Sequence, residues 1–149
     1  IATTHLSNGS YRLHPVEWNI GAVAGELCDY VLSTQQKISD LWRHNGELST
    51  FQKRLLAHNH PIAWSVDVPF GHACFAVTQY LLVRGILTPT SWRADQLEID
   101  IAQPLTDDEW HALTDILARE GHGIDNQHRT ASWHDVCMIV QPMLFGGRG

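Results

Sequence analysis

The sequence lacks any apolar run of the roughly 18 residues that a membrane-spanning helix needs, so no segment reads as a membrane span. No basic, apolar leader segment is visible either. Basic residues are scarce: 10 Lys and Arg stand against 16 acids, leaving a formal net charge of −6. Phosphate binding needs a clustered basic surface, so nucleic acid is disfavoured as a partner, and a DNA-reading helix-turn-helix with it. Only three cysteines occur, Cys28, Cys74 and Cys137, far apart in the chain. An odd, sparse set is no disulfide framework and fits a reducing, cytoplasmic home. Several chemistries have no signature. C-x-x-C, H-E-x-x-H and H-x-E…C-x-x-C spacings are missing, as are a G-x-S-x-G elbow, a P-loop and G-x-G-x-x-G. No stretch alternates apolar and polar residues convincingly, so the chain reads as all-α.

What is present is one domain's worth of sequence, 149 residues, with six tryptophans and ten histidines. Residues 1–20 read as an extended arm, with turn chemistry at Ser7-Asn8-Gly9-Ser10 and a break at Pro15. The arm lies across another surface or is a frayed terminus. Residues 21–141 read as a single helical domain and 142–149 as a glycine-rich tail. Over residues 22–43, Ala24, Leu27, Cys28, Val31, Ile38, Leu41 and Trp42 share one helical face, and Asn45-Gly46 stops the helix. Ser49 to Gln52 fits a capping box for a helix running to His58. Pro69 suits the first turn of the next helix, which Arg84 and Gly85 close. Thr88-Pro89 opens another helix, to Ile99. Thr106 to Glu109 is the clearest capping box, and Gly121 ends its helix. A last short helix is expected over 131–140.

A weak internal repeat joins these pieces. Gly46, Gly85 and Gly121 fall 39 and 36 positions apart, each in a helix, glycine turn, helix pattern. The expected architecture is a small bundle of stacked helix-glycine turn-helix pairs. Any antiparallel helix pair shares that pattern.

Few residues suggest chemistry. His58 and His60 form an imidazole pair suited to a metal, with His122 and His128 as further ligands if the fold gathers them; surface histidines are the plainer reading. Cys28 and Cys74 lie on apolar faces and read as buried structural thiols, as does Cys137. The acids Asp107, Asp108 and Glu109 are explained by helix capping rather than by a paired-carboxylate active site. On its residues alone the chain reads as a helical subunit or binding module, not as a self-sufficient enzyme.

The stretch Pro69-Phe70, Phe75-Ala76-Val77 and Arg84-Gly85-Ile86-Leu87-Thr88 to Trp92 resembles the helical N-terminal region of nitrile hydratase β subunits and the nitrile hydratase accessory proteins. Gly46-x-Leu48-Ser49-x-Phe51 with His60-Pro61-Ile62-Ala63-Trp64 upstream, and Glu109-Trp110-x-Ala112-Leu113 downstream, are similar to the same families. The resemblance implies a non-claw, β-like subunit of a nitrile hydratase or thiocyanate hydrolase complex, a lyase assembly. Its partner would be an α- or γ-type subunit whose cysteine claw holds cobalt or iron, with a separate barrel-containing subunit. This chain would bind no cofactor alone. Lys53, Arg54, Phe70 and His72 would contact the partner's active site. An accessory protein for metal loading, or a helical interaction module without enzymatic role, are the alternatives. Equal-amount co-purification would separate a subunit from an escort.

Overall fold

The computed structural model describes residues 4, 7–9, 13–43, 45–87, 91–93 and 96–146, the side chains of Trp42, Asn45, Ser91 to Arg93, Gln96 and Leu97 excepted. The fold is all-α, with one short two-stranded hairpin among the described residues. The chain divides into two compact units, residues 1–60 and 61–149.

The first unit holds α1 (His14–Thr34), α2 (Ile38–Arg43) and α3 (Asn45–Ala57). Pro15 sits in the first turn of α1, where its missing N–H costs nothing. It therefore starts a helix where a break was expected, inside the span read as an arm. Gln35, left-handed at φ 56°, ends α1 and splits the single long helix read over 22–43. The inner face of α1, around Tyr30, packs on α3, and Tyr30 meets Phe51 at 5.4 Å between ring centres. Tyr30, Leu41, Phe51, Leu55 and Leu56 form this unit's buried core. Ser49 is not a cap: α3 begins at Asn45, and Thr50 Oγ1 donates to Gly46 O within it.

The second unit holds α4 (Phe75–Val83), β1 (Ser91–Arg93), β2 (Gln96–Glu98), α5 (Asp107–Arg119), a 3₁₀ turn over Asn126–Thr130 and α6 (Trp133–Phe145). Five consecutive residues of α4, Val77 to Leu81, are buried, so this helix is apolar nearly all round and forms the centre of the unit. It packs on α6, where Trp133 Nε1 donates to Thr78 Oγ1 at 3.1 Å and Gln141 Oε1 accepts from Val77 N–H. Pro69 does not start α4. The His72 N–H donates to Pro69 O across a tight turn, with Gly71 at φ 87°, a conformation that suits glycine there and halts helix growth. Thr88-Pro89 lies outside the described residues. The helix expected to reach Ile99 is instead the β1–β2 hairpin, with Trp92 opposite Leu97. Its strands are three residues each, too short to show a period-2 pattern. Pro142 to Phe145 extend α6 into what read as the tail.

Three helices end alike. After α3, α4 and α5, a left-handed residue (Asn59, Gly85, Gly121) is followed by an N–H that reaches back to the third-last helical carbonyl: His60 to Leu55, Ile86 to Leu81, His122 to Leu117. The repeat read at Gly46 therefore belongs at Asn59. Gly46 lies within α3. Thr106 caps α5 with both bonds of the capping box made.

Candidate functional site

In the first unit, polar side chains converge where α1 crosses α3. Glu26, on the inner face of α1, faces Arg54 Nε at 3.2 Å, His58 Nδ1 at 2.7 Å and His60 Nε2 at 3.6 Å. Arg54 also pairs with Asp29, and its guanidinium lies 5.9 Å from the Tyr30 ring centre. Tyr30 Oη donates to Glu47 at 3.0 Å. The bond to His58 and the Arg54 guanidinium hold the Glu26 carboxyl below its ordinary range, although burial pushes it up. The left-handed Asn59 makes this arrangement possible. It turns the chain so that His58 and His60, either side of it, both reach Glu26 at the negative end of α3.

Chemically, this cluster holds α1 on α3. It contains no nucleophile, and among the described residues no group of three or more His, Cys, Asp or Glu could hold a metal ion. His58 and His60 thus meet a carboxylate rather than each other's metal, and the structure gathers neither His122 nor His128 into a ligand set. Arg54 is occupied by Glu26 and Asp29, and Lys53 is half-buried beside it on α3. Phe70 and His72 belong to the second unit. Phe70 is exposed against the edge of Phe75, while His72 Nδ1 accepts from Cys74 N–H and its ring lies 5.9 Å from that of His134. Cys74 and Cys137 are buried, and burial pushes both thiols up. Cys28, read as buried, is exposed.

Clamped by Glu26, α1 presents its opposite face outward. Trp18, Gly21, Gly25, Cys28 and Leu32 recur at alternating three- and four-residue steps and are all exposed. Trp18 is 74% and Leu32 78% exposed. At Gly21 and Gly25 an added Cβ would meet nothing within 4 Å. Neither glycine has a positive φ, so neither is needed for a turn. Each costs the helix about 0.5–1 kcal/mol relative to alanine. Within the described residues nothing recovers that cost. At its N-terminus, Leu13 makes no side-chain cap bond; Pro15 has no N–H, and the Val16 and Glu17 N–H groups both donate to Leu13 O. Sequence reading missed this face because residues 1–20 read as irregular. The available signal was Gly21-x-x-x-Gly25 inside a helical pattern.

The class so defined is a helical protein whose first unit carries an open, small-residue helix face. Comparison with known families adds one finding: the FAD dependent oxidoreductase family matches residues 1–55, nearly all of that unit. No curated protein and no solved structure matches the chain. The match overturns the resemblance to nitrile hydratase β subunits and accessory proteins, with its lyase activity and its cobalt or iron in a claw-bearing partner. The physical reason lies in the motifs. Helix, glycine turn and capped helix describe many helix pairs, and here Ser49 and Pro69 do not start helices and the segment through Trp92 is a hairpin. Among the described residues no helix is long and apolar enough to cross a membrane.

Proposed function

We propose that the first unit is part of an FAD-dependent oxidoreductase and that the outward face of α1 serves its flavin site. The observation that carries this reading is the family match over residues 1–55. The outward face of α1 has room for the group, although the chain lacks the G-x-G-x-x-G turn that commonly cradles a dinucleotide pyrophosphate. Gly21 and Gly25 leave room for close approach, and Trp18 on the same face supplies an aromatic wall. FAD, when bound, supplies the electron-accepting chemistry; this chain supplies placement and exclusion of water. Glu26, Arg54, His58 and His60 act as positioning residues that fix α1. The three free thiols fit a cytoplasmic setting.

The test is to isolate the protein from its native source and release any flavin with acid. Bound FAD is expected. Gly25→Val should lower flavin affinity about tenfold or more, while the helical circular dichroism stays unchanged. A natively isolated protein without FAD would sink the reading.

A further inference from the structure

The second unit contains a cleft outside the matched residues. It has a volume of about 290 Å³ and is walled by Trp64, Phe70 and Phe75, with Ser65 and Gln79 at its polar points. Trp64 is 70% and Phe70 66% exposed, a large aromatic area to leave in water. Among the described residues, no ionisable side chain lines it.

Its framework is held in place. Gln79, on the buried centre of α4, accepts with Oε1 from both Ile62 N–H and Ala63 N–H at 2.8 Å. The Asp67 carboxylate accepts from Ile99 N–H and Asp100 N–H, which fixes the same loop from its other side. Two lining prolines, Pro61 and Pro69, restrict the rim. Because Oε1 is identified by two backbone donors, the orientation of the Gln79 amide is settled, and Nε2 is its remaining donor group.

That donor has no partner among the described residues. Gln79 is 4% exposed and Ser65 8% exposed, yet neither Gln79 Nε2 nor Ser65 Oγ has a hydrogen-bond partner among the described residues. Neither atom is sealed in the interior, so each is reached by solvent and open to a ligand's hydrogen-bonding group. Both belong to the lining of one apolar, aromatic-walled cleft. We infer that this cleft binds a small, neutral aromatic compound bearing a carbonyl or carboxamide, whose oxygen accepts from Gln79 Nε2 and whose ring lies against Trp64 and Phe70. Aromatic walls with a few convergent polar groups are the usual make-up of such sites. The lack of charge in the lining disfavours carboxylates and phosphates, which would be desolvated without a counter-charge.

The test uses the full chain, labelled with ¹⁵N, and benzamide as probe. Benzamide should move the Gln79 side-chain amide and Trp64 indole signals along saturable curves. Benzoate and toluene should bind about tenfold more weakly, one lacking neutrality and the other the acceptor. Gln79→Glu keeps an oxygen for Ile62 and Ala63 but removes the donor, so benzamide affinity should fall about tenfold. Trp64→Ala removes a wall that is mostly in solvent, leaves the core intact, and should weaken binding likewise if Gln79→Glu does not fold. The inference is overturned if benzamide causes no saturable shift. It is equally overturned if toluene binds as tightly, or if affinity is unchanged in the variants that fold.

Discussion

The Glu26 carboxylate is one point at which solution pH acts on the first unit. His58 and Arg54 depress its affinity for protons below the ordinary value of 4.5. A carboxyl with a lowered folded-state pKa contributes stability above 4.5 that is lost as pH falls through the lowered value. Urea unfolding of Glu26→Gln should therefore show lower stability than wild type at neutral pH and a flatter acid limb. In the second unit, Thr106→Ala removes the side-chain half of the α5 capping box and should cost about 1 kcal/mol, readable as a lower urea midpoint. Trp133→Phe strands the buried Thr78 hydroxyl and should cost about 1–3 kcal/mol by the same measurement.

At the scale of elements, helix ends were the legible part of the sequence. Thr106 and Glu109 announced the start of α5, and Gly85 and Gly121 announced two helix stops, because cap chemistry is local and tied to residue type. Asn59 performs the same stop with a side chain that tolerates left-handed backbone less readily, so Gly46 drew the repeat to the wrong position. The hairpin was illegible because three-residue strands carry no period. The polar sites were hidden for another reason. Glu26 meets His58 across 32 positions and Gln79 meets Ile62 across 17, and a single sequence does not display such pairings. The glycine face of α1 makes its own prediction. Gly25→Ala should stabilise the chain by about 0.5–1 kcal/mol in thermal unfolding, since its methyl meets nothing inside it. A gain in stability accompanied by weaker flavin binding would separate what the helix needs from what its outward face serves.

For the whole molecule, the two units differ in how much they bury. The described residues place 5 buried apolar side chains in residues 1–60 and 18 in residues 61–149. A fragment of residues 61–149 should keep cooperative thermal unfolding, whereas residues 1–60 alone should melt broadly, because so small a core scarcely offsets chain entropy. Partial proteolysis should cut first near Asn59 to Pro61, where the units divide.

The tryptophans turn this division into an optical signal. Trp18 in the first unit and Trp64 in the second stand in solvent, while Trp110 and Trp133 are buried at 3% and 1% exposure. Emission from the outer pair should lie to the red and fall to iodide, whereas the inner pair should emit to the blue and resist it. Because Trp18 marks the outward face of α1 and Trp64 the aromatic cleft, loss of iodide quenching at one or the other would report which surface a ligand has covered.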